Sequence, residues 1–194
     1  KIKNKNSPFI IGYSGSVVYY EGIYEAVKAV EELIYETDLN IQVHILGNIN
    51  IIIEEQKNLD LSLFESIINK SFIKIINKVS HDKVKDIIRT FDLYIIPRLD
   101  LPVTNIVSPI KPFEPMSMKI PLLMSDCLCL KTISNNGKNC VLFERNNFND
   151  FKEKVLQIIQ NGYPDEILEN GFNFVKTERN WKYMIKNIGL YDML

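Results

Sequence analysis

Two cations and one carboxylate stand close together in residues 95–126, IIPRLDLPVTNIVSPIKPFEPMSMKIPLLMSD: Arg98, Lys111 and Glu114. The stretch opens on an apolar run closed by Pro97 and Arg98, as a buried parallel strand closes at its carboxyl edge. A loop follows, then Lys111, Pro112, Phe113 and Glu114, a short helical stretch, and a second apolar run at 121–124. Pro112 suits a first helical turn, where its missing N–H has no partner to lose. Glu114 then falls in that turn, among free backbone N–H groups that favour an anion. Cations and N–H groups suit phosphates, and a carboxylate suits ribose hydroxyls. The chemistry expected is therefore capture of a nucleoside diphosphate. Each of these residues taken singly is also read as an ordinary solvated surface charge.

The elements that must position them follow from the apolar pattern. Short apolar runs at 8–13 (PFIIGY), 41–46 (IQVHIL), 72–76, 93–96, 121–124 and 140–143 predict six strands. Between them, apolar residues at spacings of three and four predict helices. The clearest is 21–37, with Ile23, Ala26, Val27, Val30, Leu33 and Ile34 on one face. Further helices are expected within 50–69, after Ser80 as N-cap, at 147–160, at 165–174, and in a last segment holding Trp181, Met184, Ile185 and Ile188. Strands alternating with helices predict an α/β fold, a Rossmann-like parallel sheet of about six strands with helices on both faces. Ligands of such sheets bind beyond the strands' carboxyl ends, where the strand order reverses.

Composition narrows the partners. The chain has 194 residues, 46% hydrophobic and 24% charged, enough for one domain with a real core. A net charge of −1 gives no electrostatic case for nucleic acid. Cys127, Cys129 and Cys140 lack the spacing of a disulfide framework or a structural zinc site, so they read as reduced thiols in a cytoplasmic protein. No run reaches the roughly 20 apolar residues of a membrane span. Phe9, Ile10 and Ile11 are too few for a signal peptide's apolar region. Membrane contact is expected to be peripheral if any. Residues 1–7, KIKNKNS, read as a linker, 8–178 as the ligand-binding domain, and 179–194 as a C-terminal helix.

The ordered run PR, then VSPIKPFEPMSMKIPLLMSD, resembles the donor-site segment of retaining GT-B glycosyltransferases, closest to the branch that makes bacterial surface polysaccharides. There a P-L-K-P-x-E-A-M-A run precedes P-V-V-A-S-D. The resemblance covers nearly the whole chain and implies one half of a GT-B fold, the donor-binding C-terminal half. It implies transfer of a hexose from a nucleotide diphosphate sugar to a glycan or lipid-linked acceptor, with the acceptor domain supplied by a missing N-terminal half or a partner subunit. Arg98 and Lys111 are implied to neutralise the leaving diphosphate, and Glu114 to hold the ribose. Gly12, Tyr13, Ser14, Gly15 and Ser16 match the G-Y-x-G-S segment of the cleft; Val79 falls where backbone meets the nucleobase. No metal or other cofactor is expected, since the cations can replace one and no Asp-x-Asp pair is present.

The sequence also departs from that pattern. Where many relatives carry a phosphate-binding Lys-Gly, this chain has Glu21-Gly22. Ile106 stands in place of the first glutamate of the Glu-seven-residues-Glu motif. Ser108, Pro109 and Ile110 replace a Phe-Gly-Leu turn whose amides approach phosphate and sugar, and Pro109 has no N–H. Leu128 and Cys129 replace two glycines after Ser125 and Asp126. Two other readings therefore stay open: a non-catalytic nucleotide-binding or interaction module, and half of a GT-B nucleotide-sugar 2-epimerase.

Overall fold

The computed structural model describes residues 7–47, 69–77 and 79–179. The helix expected within 50–69, the closing helix with Trp181 and the leader at 1–6 lie outside these, apart from their edges. Elements are numbered over the described residues. The strands are β1 (Phe9–Ser14), β2 (Ile41–Leu46), β3 (Ile73–Ile76), β4 (Leu93–Ile96), β5 (Leu122–Ser125) and β6 (Val141–Phe143). The helices are α1 (Ile23–Thr37), α2 (His81–Ile88), α3 (Pro102–Ile106), α4 (Phe113–Ser117), α5 (Leu128–Ile133), α6 (Phe148–Asn161) and α7 (Asp165–Glu178).

All six strands pair in parallel, in the order β3-β2-β1-β4-β5-β6. The order reverses between β1 and β4, where Ile11 faces Leu93 and Gly12 faces Tyr94. The central strands are buried on both sides, and successive residues feed opposite cores, as the pleat requires. Leu93, Ile95 and Leu123 join α1 and α6 in one core, with Phe143, Phe151 and Val155. Tyr94, Ile96, Leu122 and Met124 join the other, with Ile88, Met116, Leu130 and Ile133 from the opposite helices. This is the Rossmann-like sheet, covered on both faces, that the alternating pattern predicted.

Differences in detail have local causes. Residues 19–21 form a separate 3-10 turn ahead of α1, because Gly22 between them adopts a left-handed φ of 66°. Ser80 is the N-cap of α2 in extended conformation, as expected, but its side chain makes no capping hydrogen bond. The three thiols are free and buried, and burial raises their pKa values. Among the described residues, no helix is long and apolar enough to cross a membrane.

Gly12 is fixed by packing. A Cβ there would lie 1.9 Å from Cδ2 of the Phe91 ring and 2.1 Å from its Cγ, the root of the side chain. Phe91 is 4% exposed and cannot swing aside. Gly12→Ala is therefore expected to cost about 1–3 kcal/mol or more through overpacking. Phe91→Leu in the same chain should recover part of it. Urea unfolding of the single and double variants checks this; a Gly12→Ala single variant as stable as wild type would refute it.

Candidate functional site

The carboxyl ends of β1 and β4 lie side by side at the point where the strand order reverses, and each runs into a loop that leans on the other. After Ser14 the chain passes through Gly15 and Ser16 to the 3-10 turn Tyr19–Glu21. That turn is docked on the loop after β4: the Leu99 N–H donates to the Tyr20 carbonyl at 3.0 Å. Gly22 sits directly against the same loop, where a Cβ would fall 2.0 Å from the Pro97 carbonyl oxygen. Only glycine gives both the left-handed φ and this approach. The consequence is that Glu21, one residue earlier, is pressed inward beside Arg98.

The result is a buried ion cluster. Glu21 is 2% exposed and Arg98 6%. Arg98 Nη2 donates to Glu21 Oε1 at 2.9 Å, and Nη1 donates to the Val107 carbonyl at 2.9 Å. Lys111 Nζ lies 2.9 Å from Glu21 Oε2, an ion pair whose approach is off the hydrogen-bonding angle. The same Nζ donates to the Tyr13 hydroxyl at 2.8 Å and stands 4.8 Å from that ring's centre. Tyr13 in turn donates to the Ser16 carbonyl at 2.7 Å. Burial pushes the Tyr13 phenol up, reinforced by the Glu21 charge, so it stays a neutral relay. For Lys111, burial lowers the pKa and Glu21 opposes the fall.

The two cations differ in access. The Arg98 side chain is 7% exposed, with both terminal nitrogens already bonded inside the protein. The Lys111 side chain is 21% exposed and, of its three donors, one goes to Tyr13 and one faces Glu21. Its stem covers Gly15, where a Cβ would meet Lys111 Cε at 2.8 Å. Lys111 is thus the cation that reaches the cleft, and Arg98 stands behind it.

The sequence profile described as "Glycosyl transferases group 1" matches residues 1–181. The chain belongs to this family. A comparison with curated proteins gave no match. Among solved structures, the C-terminal domain of the group 1 family protein LpcC from Francisella tularensis superposes with a TM-score of 0.68 at 15% identity, covering 89% of this chain and 87% of that one. A glycosyltransferase from Rickettsia africae ESF-5 gives 0.73 at 18% identity, covering 98% of this chain and 48% of that one. Anabaena Alr3699/HepE in complex with UDP-glucose gives 0.73 at 12% identity, covering 96% and 48%. The chain thus spans about half the length of the Rickettsia and Anabaena proteins. At these identities the likeness is one of fold, the C-terminal half of GT-B.

In this group 1 domain the other sequence-predicted residues divide. Ser14 lies at the edge, its hydroxyl 2.5 Å from that of Tyr94; Gly15 and Ser16 follow it. Gly12 lies within β1 under Phe91, away from the edge. Glu114 is half-buried in α4, and its carboxylate has no ion pair or hydrogen bond among the described residues. Helix α4 has five residues, so few peptide dipoles add there and the local charge rests on side chains. Pro109 is buried, Ile110 is 82% exposed, and Val79 is half-buried before α2. Cys129, in a lost-glycine position, points inward, its thiol donating to the Thr104 carbonyl at 2.9 Å, whereas Leu128 is 61% exposed. Among the described residues, no group of three His, Cys, Asp or Glu is placed to hold a metal ion. Sequence reasoning missed Glu21, which it read as a missing lysine. The available signal was electrostatic: a carboxylate heading for the same sheet edge as two cations.

Removing one member of a buried pair strands the other, which typically costs about 3–5 kcal/mol, while an apolar replacement of both is close to neutral. Arg98→Met is expected to destabilise by that amount, and Arg98→Met with Glu21→Met to recover most of it. Chemical denaturation of both variants is the check. Equal stability of the single variant and wild type would show that the pair carries no such constraint.

Proposed function

We propose that this chain is the donor-binding half of a retaining glycosyltransferase that moves a hexose from a nucleoside diphosphate sugar to a glycan or lipid-linked acceptor. The observation that carries the reading is Lys111 at the point where the strand order reverses: among the described residues one of its N–H groups has no partner, and neither has the Glu114 carboxylate on the next element. Lys111 would meet the diphosphate and stabilise the negative charge that builds on it as the glycosidic bond breaks. Arg98 would act through Glu21 rather than by contact, and Glu114 would accept hydrogen bonds from the ribose. Ser14, Gly15 and Ser16 border the phosphates, Val79 the base, and the stretch from Pro109 to Ile110 the sugar. The phosphate charge is met by side chains in this scheme, with no step assigned to a metal. That HepE was solved with UDP-glucose supports a nucleotide sugar as the donor class.

The acceptor would be bound by a second domain or subunit. Exposed apolar side chains support this: Val103, Ile106, Val107, Ile110 and Leu128 all lie on the loops and short helices beyond β4 and β5. An apolar surface concentrated on one edge suits a covered face. A second reading, a non-catalytic nucleotide-binding module, is favoured by Glu21, which already neutralises one of the two cations.

Calorimetric titration with UDP, GDP and ADP tests the donor site. One of the three is expected to bind the chain at millimolar concentration or below. A hydrogen bond to a charged group contributes about 1.5–3 kcal/mol, so Lys111→Ala and Glu114→Ala should each weaken that binding by about tenfold or more. Binding that neither substitution weakens would leave the family in place and remove these residues from the site. No binding at all would remove the donor-site reading.

A further inference from the structure

Glu21 is buried more deeply than either cation it touches, and nothing in a sheet-edge turn requires a carboxylate there. Its two oxygens divide between the two cations, Oε1 to Arg98 and Oε2 to Lys111, each at 2.9 Å. The cluster therefore sums to one positive charge rather than two. Any anion that takes the free N–H of Lys111 comes to rest within a few ångströms of the Glu21 carboxylate. In a partly buried site that repulsion is poorly screened.

We propose that Glu21 is an internal counter-anion that sets the charge of the phosphate end of the site: it holds Lys111 in place against Tyr13 and Gly15, and it weakens the grip of that lysine on phosphate. The inference rests on the donor-site reading above and deepens it. Arg98 has a matching part. It neutralises Glu21 from behind, and through its bond to the Val107 carbonyl it ties the cluster to the chain just after α3. Arg98 and Glu21 are thus positioning residues, and Lys111 is the group that touches the ligand. A site tuned in this way releases a nucleoside diphosphate more readily than the bare pair of cations would. That matters where the leaving group carries more negative charge than the donor.

The test uses UDP as the probe and the 194-residue chain, with Glu21→Gln and Glu21→Met as charge-removing variants and Glu21→Asp as the charge-keeping one. Thermal unfolding first establishes which variants fold. A folded Gln or Met variant is expected to bind UDP about tenfold more tightly than wild type, and its affinity should fall more steeply with added sodium chloride. The Asp variant should show no tightening. Tightening in a variant when wild type binds too weakly to measure would support the inference equally. If wild type binds UDP and the folded variants bind it no more tightly, the counter-anion role is overturned and the donor site stands. If no form binds, both readings fall together. Loss of fold in both charge-removing variants would assign Glu21 to the scaffold and also overturn the inference.

Discussion

The sheet edge of this domain is organised by a single carboxylate placed between two cations. Taking three charged groups out of water is costly, and opposite charges offset that cost here, although among the described residues Glu21 Oε2 meets Lys111 by charge alone and Arg98 Nε makes no hydrogen bond. Arg98 uses one terminal nitrogen on Glu21 and another on the Val107 carbonyl; Lys111 divides itself between Glu21 and Tyr13. The loop after β1, the loop after β4 and the approach to α4 are therefore linked by charge as well as by the sheet.

That linkage needs an unusually close backbone approach, and Gly22 supplies it. The turn ahead of α1 lies against the Pro97 carbonyl, and only a residue without a Cβ fits there in a left-handed conformation. The glycine of the pair Glu21-Gly22 thus answers to backbone geometry, while the residue before it answers to charge. The thiols of Cys127 and Cys129 extend the same support. They lie beneath this edge and donate to the carbonyls of Arg98 and Thr104 at 3.3 and 2.9 Å.

The sheet and most helices were legible in the sequence because each strand carries its own apolar run and each long helix its own stripe. Strand boundaries shifted by a residue for local reasons. Pro121 closes the pair with β4 through its carbonyl, which accepts from the Tyr94 N–H, but it has no N–H of its own, so β5 begins at Leu122. In the candidate site, the positions of Lys111 and Glu114 around a short helix were legible because that helix is local to their own segment. The Glu21 pairing with Arg98 could not. It joins residues 77 apart through the touching of two loops, and no periodicity encodes that contact.

Residue type alone also misjudged the two cations, which looked equivalent in sequence. Arg98 follows a central strand directly and is drawn into the interior, where the planar guanidinium can satisfy a carboxylate and a carbonyl at once. Lys111 arrives at the end of a loop, and its flexible stem crosses Gly15 to bring a single charged point to the surface of the cluster. A guanidinium buried this way can fix the position of a charge but cannot deliver it. An ammonium on a long stem can deliver charge but needs something to fix it. Glu21 stands between them and joins the two properties, which is why a carboxylate between two cations fits the proposed phosphate-binding role rather than opposing it.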